Sequence, residues 1–414
     1  MKLKHNQDGF HHIGLLLAIF VLAIVGAVGW RVYNRSSPGN SGNSISKILT
    51  SNASPIDKAT QAGKNLSSNK CQGTGDATFT HLPMNANDFS ILIPYGLMIG
   101  GHVTPIDHQY FSPTVFNSPR DTYPVYAMAD AVITDIQPRT TSRGTEYRLV
   151  FAHSCTFLYY YDLVTSLTGK VKEAYEKRDF NLPVKAGDQI GAIGGQTLDF
   201  AVWNTQKPLS GFVSPASYDG EAWKIYTTDP FPYYTPALRS IVIAKNPRIA
   251  EPIAGKIDYD IDGKLIGNWF EQGTGGYSGK GNGRDGYWST HLSFSPDLYD
   301  PSHFTISIGS LYAAYPNNMQ HSTLTNTPDP KDVGTNSGLV KYDLVDWRYI
   351  KSDGSQWNQM GPAKDVKVKS LTDNTFGCAI AQLIEAKTLK FEVFPGKKCS
   401  AVANFDASAK TYSR

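Results

Sequence analysis

The sequence predicts a mainly β protein behind an N-terminal transmembrane helix, with two β-rich domains. Three observations carry that expectation. Aromatic residues make up 12% of the chain, alongside 37 Gly and 24 Pro, a mixture that favours strands punctuated by turns. Short β-prone runs bounded by Pro, Gly and Asp recur from residue 89 onward, as in Phe89–Ile93, Val125–Ile136, Tyr147–Phe151 and Gln189–Ile193. Only one long uncharged apolar run exists, from Ile13 to Trp30.

At 414 residues the chain is long for a single core, and two domains plus a tail are expected. A hydrophobic content of 41% suffices for packed cores and excludes wholesale disorder. The formal net charge of +3 is too small, and too evenly spread, for a nucleic-acid partner.

The apolar run comes first. Its 18 residues would span about 27 Å as a helix, close to the hydrocarbon thickness of a bilayer. A cleaved secretory signal would need a small-x-small site followed by polar residues. The run ends instead in Gly29-Trp30-Arg31, with Trp30 as an interfacial anchor. Residues 1–35 are therefore expected to be a retained single-span anchor. Lys2 and Lys4 before it balance Arg31 and Arg35 after it, so charge leaves the orientation open. The short N-terminal tail and long C-terminal body point to an extracytoplasmic body at the cell membrane. Residues 36–70 open with SSPGNSGNS, stay polar, and are expected to form a flexible stalk.

Four cysteines, Cys71, Cys155, Cys378 and Cys399, lack any C-x-x-C spacing, against a zinc ribbon or thioredoxin-type motif. In an exported body two disulfides are expected. Cys378–Cys399 is the easier pair, since both lie near the C-terminus, but spacing alone does not fix the connectivity.

Residues 71–236 and 237–414 are the expected β-domains. Within the first, Leu163–Arg178 carries a helical apolar period with interleaved Lys and Glu, and reads as one amphipathic helix. The Pro-rich stretch Asp229–Pro236 reads as an ordered connection. In the second, Ile257–Gly267 contains Asp258, Asp260, Asp262 and Gly263, the opening of a calcium-binding loop. Position twelve is Trp269 rather than Glu, and the alternation across Asp262-Gly263 favours a β-hairpin. Trp288–Phe294 and His303–Ile308 read as paired strands, and Leu389–Phe394 as a last strand. A small barrel or sandwich is the expectation for this half. The glycine-rich 273–286 lacks the Lys-Ser/Thr of a phosphate loop, and no G-x-S-x-G, dinucleotide fingerprint or H-E-x-x-H occurs.

Two resemblances add to this reading. Lys4-His5-Asn6-Gln7-Asp8-Gly9-Phe10, followed by the apolar run, resembles the leader of type IV pilins, except that Gly14 stands where they carry glutamate. From Gly100 to Asn204 the order of segments resembles an M23 (LytM-type) metallopeptidase domain. Val125–Ile133 resembles its V-x-A-x-x-x-G-x-V turn, Val184–Gly191 its V-x-x-G-x-x-I-G hairpin, and Leu198–Val202 its H-L-H-F-E-V strand.

That resemblance implies a barrel-sandwich fold and a zinc ion held by a His and an Asp near the domain start and by the second His of H-x-H. A further His, in a Tyr-x-His segment, would assist a metal-bound water. His102 and Asp107 are matched to the first two ligands at a spacing one residue longer, and His153 to the assisting residue. Thr197 and Asp199 replace the H-x-H pair. Two readings follow. In one, the fold persists without metal as a module that binds or scaffolds peptidoglycan or a partner protein in the cell envelope. In the other, His102, Asp107 and Asp199 hold zinc, with His153 as base, in a peptidase acting on cell-wall peptides.

Overall fold

The computed structural model describes residues 53–280 and 286–414. The leader, the expected membrane anchor and the first part of the stalk lie outside the described residues. Among the described residues no helix is long and apolar enough to cross a membrane.

The last part of the expected stalk is not a loose tether. Residues Pro55–Leu66 form helix α1, started by Ser54 and Asp57 in a reciprocal capping box with Pro at the first helical position. Its Ala59 and Gly63 are buried. A Cβ on Gly63 would meet the carbonyl oxygen of Cys155 at 1.7 Å, so glycine lets the helix lie directly on the first domain.

The first domain contains β1 (Phe89–Ile93), β2 (Gln109–Pro113), β3 (Tyr123–Tyr126), β4 (Ala131–Thr141), β5 (Gly144–Ala152) and β6 (Phe157–Val164). It continues with β7 (Ser166–Leu167), helix α2 (Gly169–Lys177), β8 (Leu182–Val184), β9 (Gln189–Ile193) and β10 (Leu198–Asn204). Seven strands make one sheet in the order β1-β2-β10-β6-β5-β4-β8, and β3-β9-β7 make a small second sheet.

Two sequence expectations change here. The run 125–136 splits between sheets at Ala127–Asp130, where Asp130 accepts the Ala186 amide and pairs with Lys185. The 163–178 helix is shorter than its period suggested. Leu163 and Val164 are completely buried in β6, and α2 starts only after Thr168.

One face of the large sheet packs Phe79, Phe111, Leu149, Phe151, Tyr159, Tyr161 and Phe200 into the main core. The Pro-rich stretch, expected to be an ordered connection, is ordered and contributes its aromatic residues to that core. Phe231, Tyr233 and Tyr234 are buried in it, and Phe79 bridges to Tyr234. Helix α3 (Pro236–Lys245) follows against β1, and the same apolar cluster includes Ala254, Ile257, Phe270 and Tyr277.

The second domain is a closed barrel. Its strands are β11 (Gly267–Glu271), β12 (His291–Pro296), β13 (Phe304–Ile308), β14 (Gln320–Thr323), β15 (Val340–Ile350), β16 (Gln356–Trp357), β17 (Lys367–Glu385), β18 (Thr388–Pro395) and β19 (Lys410–Ser413). They form a nine-stranded sheet in the order β14-β13-β12-β11-β19-β18-β17-β15-β16. Because β14 also pairs with β15, all but β16 join in a ring of eight. Trp269, Leu292, Phe294, Ile306, Tyr342, Leu344, Leu389 and Phe391 fill it. The paired strands expected at 288–294 and 303–308 are present as β12 and β13, with β12 starting at His291 after a 3-10 turn. Residues 389–394 lie in β18, which β19 follows, so this is not the last strand.

The hairpin expected over 257–267 does not form. Asp258 accepts the Gly211 amide, and Asp260 accepts the amides of Val213 and Asn268. These carboxylates tie an irregular segment to the first domain instead of leaving it free to pair with itself.

Both cysteine pairs are bonded, Cys71 to Cys155 across 84 residues and Cys378 to Cys399 across 21. The domains share a third apolar cluster, in which Ile91 of β1 packs with Leu298, Tyr299, Tyr349, Trp357, Val366 and Val368.

Candidate functional site

Away from the main core, the large sheet presents a second face of unusual polarity. Strand alternation places Tyr110, Asp199, Asp162, Tyr160, Glu146, Arg148 and Arg139 on it. Asp199 in β10 sits opposite Tyr110 in β2 and Asp162 in β6, and Arg139 in β4 sits opposite Glu146 in β5. Arg139 pairs with Asp162 at 3.0 Å and Glu146 at 3.4 Å, and Arg143 also reaches Glu146 at 3.4 Å.

The segment preceding β2 brings in the next group. Gly96 and Ile106 are tied by backbone bonds, as are Ile99 and His102, so residues 96–108 form a compact loop. The barrel clamps it. The Gln320 side chain accepts from the Gly100 amide and donates to the Gly100 carbonyl, both at 3.0 Å. A Cβ on Gly101 would lie 2.8 Å from the indole of Trp288. The loop delivers Asp107 and His108, both buried.

Over the face lies the 3-10 segment Pro215–Tyr226, kinked at Glu221. The Trp203–Thr227 bridge and the Leu209–Ile225 backbone bond hold it there. It contributes Glu221, Trp223 and Lys224.

These residues join in a line of charge. Lys224 Nζ donates to Asp107 Oδ1 at 2.8 Å and lies 3.2 Å from Glu221 Oε2. Its ammonium also sits 4.6 Å from the ring centre of Tyr277, from the barrel side. Trp223 Nε1 donates to Asp107 Oδ2 at 2.9 Å. His108 lies 3.3 Å from Asp107 through Nδ1 and 3.3 Å from Asp199 through Nε2, with the Tyr110 hydroxyl 3.1 Å from Nε2. The Thr197 hydroxyl donates to Asp199 Oδ1 at 3.2 Å.

The protonation states follow from burial and pairing. Burial alone would raise Asp107, but Lys224 and His108 hold its carboxyl well below the usual range. Burial would lower Lys224, yet Asp107 and Glu221 raise it, so it stays an ammonium. Burial pushes Glu221 up against the pull of Lys224. Burial also pushes Asp199 up to about 7, and the Asp199 and Asp107 carboxylates raise His108 against its own burial.

His102 is brought close to this line, its ring centre 5.9 Å from that of His108. Burial, with the nearby His108 and Lys224 cations, lowers it to about 3, so it is neutral. The structure therefore gathers His102, Asp107 and Asp199 in one region. His153 is not brought to it. It is exposed at the turn before β6, where Nδ1 donates to the Asp130 carbonyl at 2.8 Å. Its backbone meets Phe157 at the far end of β6, five residues from Asp162, or roughly 16 Å along the strand. The segment lying beside Asp199 is Tyr160-Tyr161-Asp162.

The groups around Asp107 do not suit a zinc ion. Both of its oxygens already accept strong donors, and one of those is an ammonium that would face any metal at close range. Among the described residues no set of three or more His, Cys, Asp or Glu is spaced to hold a metal. The residues missed from sequence, Lys224, Glu221 and Trp223, come from a segment with no motif of its own.

A scan against protein-family models finds no match, and a search of curated proteins finds none either. Solved structures include two distant likenesses. A zinc-containing peptidase from Vibrio cholerae is 19% identical over 31% of this chain and 39% of its own, with a TM-score of 0.21. Lysostaphin is 12% identical over 80% of this chain and 90% of its own, with a TM-score of 0.25. This chain thus spans well under two thirds of the Vibrio protein's length. Likenesses at these scores carry no argument about the site.

Proposed function

We propose that this is an exported cell-envelope protein, anchored in the membrane through Ile13–Trp30, whose first β-domain is a binding or scaffolding module for peptidoglycan or a partner protein. The observation that carries this reading is the buried Lys224 ammonium at 2.8 Å from Asp107. It supplies, from within the chain, the positive charge that a metal ion would otherwise provide to that carboxylate. A domain built this way keeps its polar face while needing no metal and activating no water. The two disulfides support an oxidising, extracytoplasmic setting for the body.

The test is elemental analysis of the protein after gentle purification, together with sedimentation on insoluble cell-wall material. The reading expects folded protein without stoichiometric zinc, taking none up when supplied, and retained on the wall fraction. About one zinc per chain, lost in both His102→Ala and Asp199→Ala, would overturn it in favour of a zinc peptidase acting on cell-wall peptides.

A further inference from the structure

Of the cations on the polar face, each but one has an anionic partner. Arg139 takes Asp162 and Glu146, Arg143 takes Glu146, and Lys224 takes Asp107 and Glu221. The Arg148 side chain has no ion pair and makes no hydrogen bond among the described residues, although its backbone is paired with β4. It is held instead by three aromatic rings. Its guanidinium carbon lies 4.5 Å from the ring centre of Tyr160, 4.7 Å from Trp223 and 5.8 Å from Trp203. Those rings also pack on one another, Tyr160 against Trp203 at 5.0 Å and Trp203 against Trp223 at 5.9 Å. The Arg148 Nε is buried without an acceptor, while the residue as a whole stays partly open to solvent.

We infer that Arg148 is the recognition residue of a carboxylate-binding site on this face, taking the carboxylate of a peptide-like ligand. Three physical points lead there. A guanidinium stacked on rings is fixed in orientation before any ligand arrives, which lowers the entropic cost of pairing. Its fork of N–H donors matches the two oxygens of a carboxylate. Its charge has no anionic partner among the described residues, a cost that an anionic ligand would relieve. The neighbouring carboxylates of Asp162 and Glu221 are already paired with Arg139 and Lys224, so they do not compete for Arg148. They also make the face unfavourable for a dianionic phosphate, which favours the singly charged carboxylate.

This deepens the proposed binding role by naming the chemistry it would use, and it rests on the polar face being a binding surface. Its test needs no cell wall, so the two ideas can fail separately. Tryptophan fluorescence of the intact protein would be titrated with N-acetyl-dialanine, its C-terminal amide and inorganic phosphate. Trp203 and Trp223, in contact with the guanidinium, are the reporters.

The expected result is a saturable change with the free acid, at least tenfold weaker with the amide and weaker with phosphate. Arg148→Gln should abolish it, and Arg148→Lys, which keeps the charge but not the fork, should weaken it about tenfold or more. Circular dichroism spectra matching the wild type would show that both variants are folded. Equal binding of acid and amide, tighter binding of phosphate, no saturable change with the free acid, or unchanged binding in folded Arg148→Gln would each overturn the assignment.

Discussion

Lys224 Nζ and Asp107 Oδ1 lie 2.8 Å apart in a site where both side chains are almost sealed from solvent. One comes from a 3-10 segment over the sheet, the other from a loop that the barrel clamps, so the pair joins parts far apart in sequence. Removing one partner would leave the other charge buried without compensation. Lys224→Met should lower stability by about 3–5 kcal/mol. The double variant Lys224→Met/Asp107→Asn should recover part of that loss, and chemical denaturation of all three proteins measures the coupling. A Lys224→Met protein as stable as the wild type would refute the picture of a buried, mutually dependent pair.

Asp199 gives a dependence on pH. Its folded pKa, about 7, lies above the ordinary carboxylate value because of burial. A group raised on folding contributes stability that is full below its unfolded pKa and lost as pH rises through the folded one. The loss therefore falls between about pH 4 and pH 7. Asp199→Asn cannot lose a proton, so its stability relative to the wild type should improve across that window, by roughly 3–4 kcal/mol. Comparing the variants, rather than reading one curve, removes the opposite contributions of His102 and His291, both lowered to about 3 by burial. A constant difference from pH 4 to pH 7 would count against the raised carboxyl.

Ile91 is completely buried, yet its neighbours Leu298, Tyr349 and Trp357 belong to the second domain. Ile91→Ala should cost roughly 2–4 kcal/mol through lost contacts and the cavity left behind. Because the lost contacts join the two domains, scanning calorimetry should also show the main transition broadening or dividing. Destabilisation of a single undivided transition would mean that the domains are coupled chiefly through the Asp107 site and the Gln320 clamp.

The two disulfides should differ in worth. In the chain-entropy view the longer loop restricts the unfolded state more, and 84 against 21 residues makes a difference of roughly 1 kcal/mol. Cys71→Ser/Cys155→Ser should therefore lose more stability than Cys378→Ser/Cys399→Ser, read from urea denaturation at constant m-value. Equal losses would show that native contacts around the bridges, not loop length, decide their effect.

Strands were the readable part of the fold. Alternation and turn residues located β1, β9, β12, β13 and β18 because each is short, local and bounded by breakers. Errors arose where a local pattern met a tertiary demand. Leu163 and Val164 satisfied a helical period but were needed in β6. Asp258 and Asp260 suggested a hairpin but serve as acceptors for amides some fifty residues earlier. At the candidate site, the grouping of His102, Asp107 and Asp199 was what the resemblance to a metallopeptidase domain implied, not something residue spacing gave. The distance of His153 from them was not legible, since it depends on which end of β6 faces Asp199.

The sequence by itself determined a β-rich body, the apolar run at its start, and the presence of Thr197 and Asp199 at the strand that enters the polar face. These are properties of residue type and period, which act over a few neighbours. Only the tertiary structure decided that Lys224 faces Asp107 and that Arg148 is left among rings without an anion. The physical reason is that a buried charge takes its character from whichever group the fold places within hydrogen-bonding distance, and sequence spacing does not encode that distance.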